Sequence, residues 1–420
     1  SLQPLLMFDD GHELASRQRR ALLDNLRRRR PGVGRWYSER FEAMSNQELM
    51  QGFGIDGRDL IEIDIDDIVR NGAGRRFTAG QHNKILSYIA LRRAAPILTT
   101  YAQESQPFFG FLQSPSAAPL PDEFPSLHNA LRTRVLEASG SDARYRMWVE
   151  EADLLTGRDA SVRWRELEFL IARDKRGQQG LFGEPLTGGD LSDRSSSALR
   201  DAAALSVANE FGLPYYAGQE RLLQLGSHNV EQFLNLCGAL FEDLLVDISL
   251  GRKPTLTAVR QDKILRRASE EYWESIARTV PNGRDVRAIV AEIVRIAVEE
   301  NNKPNMPYPP GVTGTALLMS DRERLLDIDY RDRNASAARL FAALASAVAY
   351  NVITADLNYS VKGNQYMVLY LNRLLCPRFG LPLGRGAFRE RKLSQMLTWV
   401  EDLPDSGHRD PYEVENLLGL

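Results

Sequence analysis

The sequence predicts a mainly α-helical protein with a small α/β part at its N-terminal end. Residues 5–10 read Leu-Leu-Met-Phe-Asp-Asp, and four large apolar residues in a row favour a strand buried on both faces of a parallel sheet. Over most of the remaining chain, apolar residues recur at spacings of three and four, which is the period of an amphipathic helix. The order therefore predicts a partial α/β core followed by helical regions.

Composition places the chain among ordinary globular proteins. It has 420 residues, of which 43% are hydrophobic and 26% charged, and this length allows two or three domains. The net charge of −3 does not indicate a nucleic-acid partner, although 53 Lys and Arg residues leave room for a local basic surface. The two cysteines, Cys237 and Cys376, argue against a disulfide framework or a thiolate zinc site. Because no apolar run reaches the ~18 residues of a membrane span, we expect a cytoplasmic protein.

The two carboxylates that end the first strand form a candidate site. In open α/β sheets, ligands bind beyond the carboxyl ends of the strands. Asp9 could hold Mg²⁺, which usually takes one or two carboxylates besides phosphate oxygens. Asp10 could orient or deprotonate a water that attacks a γ-phosphate. The alternative is a buried strand that ends in a solvated Asp-Asp turn.

The first hundred residues predict alternating helices and strands. We expect a helix begun by Ser16, a short strand or helix at residues 33–41, a strand at 60–65 and a helix at 81–98 that Pro96 perturbs. Arg27 to Arg30 at the end of the first helix could contact phosphates, but the helix dipole also favours such a run as solvated surface. The other arginines of this helix, including Arg19, are expected to face water. Arg58 stands just before the strand at 60–65.

Residues 106–250 predict a helical region entered through a proline-rich loop or linker. Five prolines fall between residues 106 and 125. Helices are expected at residues 144–173, 195–213 and 229–248, with a polar loop at 176–197. The helix at 229–248 has the clearest signal, because its apolar residues keep the helical spacing and Asn229 with Gln232 forms a candidate capping box.

The last 170 residues predict a helix, a turn-rich ribbon and a strand, in the order of a winged-helix module. We place these at residues 285–299, 303–314 and 315–319, followed by a helical pair at 337–357 and 365–375 and a closing helix at 389–400. Four cations could meet a DNA backbone, namely Arg284, Arg287, Arg295 and Lys303. An amphipathic helix with a solvated basic face explains the same residues equally well.

The order of these elements resembles the AAA+ ATPases of the origin-recognition and cell-division-cycle type, and more narrowly their bacterial relatives. Residues 5–10 resemble the Walker B strand of that family, with Asp9 as the metal residue and Asp10 in place of the more usual catalytic Glu. Residues 225–234 resemble its lid helix, whose start normally supplies a sensor arginine. Arg58 stands where such ATPases often carry an arginine finger, and residues 366–399 are also similar to the bacterial relatives.

The resemblance implies a fold and a function. It implies a partial AAA+ core at residues 1–105, a helical lid region at 106–250 and a winged-helix-like, helical region at 251–420. It also implies a nucleotide-dependent ATPase that binds DNA, uses ATP and Mg²⁺, and hydrolyses ATP at the interface of a homo-oligomer or with a partner protein. In that arrangement Arg58 of one subunit would complete the site of the next.

Two departures from the family pattern keep a second hypothesis open. The 420 residues contain no Gly-x-x-x-x-Gly-Lys-Ser/Thr loop, which should precede the acidic strand, so we expect either the C-terminal portion of a longer ATPase or an inactive protein. Glu231 and Gln232 stand where the lid arginine would be, and neither replaces a guanidinium. The alternative is a non-enzymatic scaffold subunit that binds DNA or a protein.

Other catalytic classes have less support in the sequence. The five histidines never form a His-Glu-x-x-His pair, and no Gly-x-Ser-x-Gly motif is present. His12 is expected to be a turn residue, and Cys237 falls in the apolar stripe of its helix and is expected to be a core residue.

Overall fold

The computed structural model describes residues 5–27, 33–51, 79–101, 106–178, 197–226, 229–304 and 309–401. These residues form a mostly helical structure with two small sheets, which agrees with the mainly α prediction. The strands are β1 (Leu5–Phe8), β2 (Gly34–Tyr37), β3 (Val312–Leu318), β4 (Ile353–Val361), β5 (Asn364–Leu371) and β6 (Ala387–Glu390). The helices up to residue 225 are α1 (Ser16–Arg27), α2 (Asn46–Gln51), α3 (Ala79–Tyr101), α4 (Phe124–Ser139), α5 (Ala143–Asp153), α6 (Gly157–Gln178), α7 (Ser197–Phe211) and α8 (Gln219–Leu225). Those that follow are α9 (Val230–Ser249), α10 (Ala258–Thr279), α11 (Gly283–Asn301), α12 (Met319–Leu326), α13 (Ile328–Arg333), α14 (Ala335–Ala349) and α15 (Leu393–Glu401).

The first strand is confirmed as a strand of a parallel sheet, but the prediction that it is buried on both faces is wrong. β1 pairs in parallel with β2, with Leu5 opposite Gly34 and Phe8 opposite Tyr37. Met7 is nevertheless 69% exposed, and Leu5 and Leu6 are 52% and 50% exposed. Within the described residues these two strands pair only with each other, so their apolar side chains have little to pack against. The strand predicted at residues 60–65 and Arg58 lie outside the described residues.

The proline-rich segment is a packed loop. Phe108 and Phe111 are buried within it, and the Leu256 N–H donates a hydrogen bond to the Phe111 carbonyl (2.9 Å). The Gln113 N–H donates in turn to the Leu256 carbonyl (2.9 Å), which fixes the loop against the start of α10. The loop therefore belongs to the hydrophobic core and does not act as a free spacer.

The two helices with the strongest signals are confirmed. α9 begins directly after Asn229, whose side-chain oxygen accepts the Gln232 N–H (3.0 Å), so the N-cap half of the predicted capping box is confirmed. The reciprocal half does not form, because the Asn229 N–H donates to the Gly226 carbonyl (2.7 Å). α11 buries Val286, Ile289 and Ile293, which recur at helical spacing along its inner face. The single helix predicted at residues 144–173 is instead two helices, α5 and α6, and Gly157 at the start of the second has a φ of +61°.

The helical pair predicted at residues 337–357 and 365–375 is wrong in its second half. α14 ends at Ala349, and β4 and β5 then form an antiparallel hairpin. Lys362 and Gly363 connect the strands with φ values of 50° and 81°, which suits the tight turn of a hairpin with right-handed twist. Residues 366–371 of β5 are all buried, and a short apolar run buried on both faces has no periodicity that separates a strand from a helix.

The C-terminal sheet has the strand order β4-β5-β3-β6, with β3 antiparallel to β5 and parallel to β6. The closing helix is therefore shorter than predicted, because residues 387–390 pair with β3 and α15 starts at Leu393. The strand predicted at 315–319 is confirmed with an earlier start, at Val312. Residues 305–308 of the turn-rich ribbon lie outside the described residues, and the assignment of this region as a winged helix stays a prediction.

One large cluster of buried apolar side chains includes members from Met44 to Val400. It contains residues of all three ranges proposed from the sequence as domains, including Leu131 of α4 and Leu344 of α14. The domain boundaries themselves stay predictions.

Glu300 connects the end of α11 to the C-terminal sheet. Its carboxylate accepts a hydrogen bond from Lys303 Nζ (2.6 Å) and another from the guanidinium of Arg389 on β6. The Arg389 hydrogen bond, with burial opposing it, lowers the pKa of Glu300 to about 2. The ionised carboxylate therefore stabilises the packing of the helix on the sheet.

We expect Glu300→Gln to lower the free energy of unfolding at neutral pH by about 1–2 kcal/mol, because it removes these partly solvated ion pairs. A carboxyl group whose pKa falls on folding contributes stability above its unfolded pKa of 4.5, and this contribution is lost as the pH falls towards about 2. Urea denaturation should therefore show that the unsubstituted protein loses more stability between about pH 5 and pH 3 than the variant does.

The matched control is Glu299→Gln, since the Glu299 side chain is 62% exposed and faces Arg295. It should leave the pH dependence of stability nearly unchanged. Parallel pH profiles for the unsubstituted protein and Glu300→Gln would show that the Glu300 ion pairs do not stabilise the fold.

Candidate functional site

The loops that follow β1 and β2 lie side by side. The Ser38 N–H donates to the Phe8 carbonyl (2.8 Å), and the Gly11 N–H donates to the Ser38 carbonyl (2.9 Å). These bonds extend the parallel pairing past the last residue of each strand. Asp9, Asp10 and Ser38 therefore meet at the carboxyl edge of the sheet, where ligands bind in open α/β folds.

Asp9 is held as an oriented carboxylate. Its Oδ1 accepts a hydrogen bond from the Ser38 hydroxyl and one from the Asp10 N–H (3.0 Å). The Ser38 hydrogen bond is the main cause that lowers the pKa of Asp9, followed by the Asp10 N–H. The group is therefore ionised at neutral pH, as a metal ligand must be. No sequence pattern singles out Ser38, whose only signal is a hydroxyl directly after a short strand.

Asp10 occupies an exposed, left-handed turn. Its φ and ψ are 54° and 40°, and its side chain is 71% exposed. His12 lies below it in a 3₁₀ turn, with Nδ1 3.8 Å from Asp10 Oδ1, so the prediction of a turn residue is confirmed. Gly11 between them is buried against the Tyr37 ring, and any β-carbon there would collide with the Tyr37 hydroxyl. The close approach of Tyr37 thus requires glycine after the acidic pair.

A buried ion-pair network supports the site from below, and the prediction that Arg19 faces water is wrong. Arg19 is 7% exposed, and its guanidinium binds both oxygens of Glu39 and also Glu48 Oε2 (3.3 Å). The Tyr37 hydroxyl donates to Glu39 Oε2 (2.8 Å), and burial together with Glu39 raises the pKa of Tyr37 to about 12. Because Glu39 directly follows Ser38, this network fixes the loop that holds Asp9.

The acidic edge fits part of a Mg²⁺ site. Among the described residues, no group of three or more His, Cys, Asp or Glu side chains could hold a metal by itself. Asp9 and Asp10 offer the one or two carboxylates that Mg²⁺ commonly takes when phosphate oxygens and water fill its other positions. The sequence contains no glycine-rich lysine loop to hold those phosphates, so residues 1–420 supply the acidic side alone.

The sequence of the predicted lid helix, residues 225–234, contains no arginine or lysine. Residues 227 and 228 lie outside the described residues, and Glu231 is exposed on the first turn of α9. The Gln232 side-chain oxygen accepts a hydrogen bond from Asn372 Nδ2 (3.1 Å), which connects the helix to the end of β5. In the described structure Gln232 therefore has a packing role.

The four cations predicted to contact DNA differ in their surroundings. Arg287 stacks on Trp273 at 4.5 Å from the ring centre and lies 3.5 Å from Glu274. Arg295 pairs with two glutamates of its own helix, and Lys303 pairs with Glu300. Arg284 is exposed and forms no ion pair with the residues that the structure describes. The surface is therefore partly neutralised, and its contact with DNA stays a prediction.

Comparison with known proteins places the chain in a family. The sequence model of the ORC-CDC6-like family matches residues 4–393, which is nearly the whole chain. The mostly helical fold with its small sheets is compatible with an AAA+ ATPase relative of the origin-recognition type. The chain belongs to the ORC-CDC6-like family.

No curated protein matches the chain, and no solved structure does. Of the helices in the described ranges, none has the length and apolar character needed to cross a membrane.

Removal of the Ser38 hydroxyl tests the electrostatics of the site. We expect Ser38→Ala to raise the pKa of Asp9 towards its ordinary value of 3.8, because the hydrogen bond that favours the ionised form is lost. Titration of ¹³C-labelled aspartate carboxyl groups by NMR measures the change. Ser38→Thr keeps the hydroxyl and is the control. An Asp9 pKa that is equal in both variants would show that Ser38 does not hold this carboxylate.

Proposed function

We propose that the chain supplies the acidic side of the ATP site in a DNA-binding AAA+ ATPase. Family membership supports the ATPase type, and the observation that carries the proposal is the Asp9 carboxylate, ionised and oriented by Ser38 at the shared edge of two parallel strands. The proposal requires a phosphate-binding loop from outside these 420 residues. Hydrolysis at a subunit interface, with Arg58 as the arginine finger, is part of the same proposal.

Each acidic residue has a separate part in this chemistry. A bound Mg²⁺ would neutralise charge on the β- and γ-phosphates. Asp9 would hold the ion directly or through water, and the hydrogen bond from Ser38 fixes the rotation of its carboxylate. Asp10 would accept a hydrogen bond from the attacking water and orient it in line with the γ-phosphate. The buried pair of Arg19 with Glu39 keeps both loops in place.

The test is Mg²⁺-dependent ATP hydrolysis by the protein extended upstream of Ser1. We expect Asp10→Asn to lower the rate at saturating ATP by at least about 100-fold, because water is no longer oriented or deprotonated. Asp9→Asn should mainly raise the Mg²⁺ concentration that half-saturates the reaction. Both effects are read from a steady-state phosphate-release assay.

The control is Asp24→Asn, which changes an exposed carboxylate of α1 outside the acidic edge. It should leave the rate and the Mg²⁺ dependence unchanged. Unaltered hydrolysis in Asp10→Asn, or an upstream sequence without a phosphate loop, would rule out the enzymatic proposal.

A non-enzymatic scaffold is the second candidate, and two features of the sequence favour it. The phosphate loop motif is not among the 420 residues, and Glu231 and Gln232 replace the expected lid arginine. Such a subunit would hold DNA or a protein without affinity for nucleotide. Isothermal titration of the upstream-extended protein with MgATP separates the candidates, since the scaffold predicts no heat of binding.

The basic surface on α11 can be tested through its salt dependence. Each phosphate contact contributes about 0.9 to the slope of log K against log salt concentration. Because Arg284 is the exposed and unneutralised cation of the predicted set within the described residues, we expect Arg284→Glu to lower that slope by about 1. The measurement is fluorescence anisotropy with duplex DNA at several salt concentrations.

Arg267→Glu on the neighbouring helix α10 is the control, since Arg267 is 80% exposed but paired with Glu271. It should change the slope less. If DNA binding does not depend on salt, or if both reversals lower the slope equally, the predicted surface does not contact DNA. If the surface does contact DNA, reversing Arg287 and Lys303 as well should weaken binding further.

A further inference from the structure

The short helix α2 is linked through two arginine side chains to the acidic site and to the C-terminal sheet. It spans six residues, Asn46–Gln51, and its two ends bind arginines that lie far apart in the sequence. Arg19 lies at the N-terminal end of α2 and Arg322 at its C-terminal end. The helix is therefore placed to carry a change in position from one region to the other.

At the N-terminal end, one glutamate joins the helix cap to the site network. Glu48 Oε2 accepts hydrogen bonds from the Ser45 N–H and hydroxyl (both 2.8 Å), while the Glu48 N–H donates to Ser45 Oγ (3.3 Å). This is a capping box, and it fixes the first turn. The same Glu48 oxygen accepts from Arg19 Nη1 (3.3 Å), and Arg19 holds Glu39 next to Ser38. The cap of α2 and the Asp9 loop thus share one guanidinium.

At the C-terminal end, Arg322 binds the last carbonyls of the helix. Arg322 Nη2 donates to the Met50 and Gln51 carbonyls (2.7 and 2.8 Å), and Nε also donates to Met50 (3.1 Å). They are the last two carbonyls of α2 among the residues that the structure describes. Arg322 Nη1 donates to the Leu357 carbonyl on β4 (3.1 Å). One planar group therefore joins α2 directly to the hairpin of the C-terminal sheet.

Burying the Arg322 guanidinium costs more free energy than a residue with only a packing role would require. The residue is 5% exposed, and it forms no ion pair with a carboxylate among the described residues. Burial accordingly lowers its pKa. A buried cation is usually neutralised by an acid, whereas three backbone carbonyls compensate only in part. What the guanidinium provides is a rigid fork of donors that reaches carbonyls on two separate elements, and lysine cannot reproduce this geometry.

The body of α2 gives the connection its stiffness. Met50 is fully buried and Leu49 is 7% exposed. Both belong to the large apolar core that also contains residues of α14, and α2 packs on α14. A helix anchored in a close-packed core moves as a unit, because the core resists small deformations. A displacement of its C-terminal end therefore reaches Glu48 and Arg19.

We propose that Arg322 is a positioning residue for the acidic site, acting through α2. A ligand or partner that binds and moves β4 would change the position of the Ser38–Asp9 pair, and with it the affinity of the acidic edge for its ligand. A ligand at the acidic edge would change the affinity at β4 by the same free energy. The coupling holds whichever ligand the acidic edge takes, so it can fail or succeed independently of the proposed ATPase function.

Hydrogen exchange followed by mass spectrometry tests this coupling in the full chain without nucleotide. We expect Arg322→Gln to accelerate exchange about tenfold both in α2 and at residues 34–41, which Arg322 does not touch, because one buried hydrogen-bonding group of ordinary strength is lost from the connection. Arg322→Lys keeps the charge but not the fork and should show a smaller effect of the same pattern.

Arg158→Gln is the matched control. Arg158 is half-buried, has its pKa lowered by desolvation as Arg322 does, and also donates to backbone carbonyls, those of Pro115 and Pro214. It should leave hydrogen exchange at residues 34–41 unchanged. Acceleration confined to residues 46–51 in Arg322→Gln, or the same acceleration at 34–41 in the Arg158 variant, would overturn the proposal.

The reciprocal variant tests the coupling from the other end. Glu48→Gln weakens the bond to Arg19 without touching β4, and we expect faster exchange at residues 353–358. This measurement decides alone if the Arg322→Gln protein does not fold. Unchanged exchange at 353–358, with clear acceleration at residues 34–41, would show that α2 does not join the two regions.

Discussion

The parallel pairing of β1 with β2 is the constraint on which the candidate site depends. Because the strands run in the same direction, their carboxyl ends meet, and the hydroxyl of Ser38 reaches the carboxylate of Asp9. The same pairing brings Tyr37 over Gly11 and sets Glu39 above Arg19. An antiparallel pair would separate these residues by the length of a strand. The chemistry offered at this edge is therefore a result of topology as much as of residue type.

How far the sequence predicts this structure depends on whether the deciding information is local. α9 and α11 follow from apolar spacing and, for α9, from the cap at Asn229, all of which lie within the segment itself. The β4–β5 hairpin was missed because residues 366–371 are buried on both faces and carry no period. Arg19 was expected in water because its partners, Glu39 and Glu48, follow 20 and 29 residues later. The predicted burial of β1 is wrong for the same reason, because neighbouring elements, and not the strand's own sequence, decide whether a strand is buried.

The candidate site shows the same division. Asp9 and Asp10 could be named from the sequence because acids after an apolar strand form a local pattern. Ser38 could not, because its importance comes from one hydrogen bond across 29 residues. The basic surface shows both cases. Arg295 and Lys303 pair with glutamates three residues away in the sequence, whereas Arg287 pairs with Glu274 of the neighbouring helix, which only the fold shows. Charge counted along a helix therefore overstates the charge that a phosphate would meet.

Family membership restricts the fold more strongly than the chemistry, since function resides in the site. The ionised Asp9 would suit an ATPase, but it would also persist in a scaffold, because Ser38 and the Asp10 N–H stabilise it without any ligand. Asp10 is the more informative residue. Its left-handed backbone costs an L-residue roughly 1–2 kcal/mol, which aspartate tolerates better than most. It also has one methylene less than the glutamate expected at this position, so in the proposed ATPase the attacking water would have to lie closer to the strand end. The left-handed turn at Asp10 and the buried Gly11 set the course of the backbone at this point. The backbone position is therefore what would have to make up for the shorter side chain of Asp10.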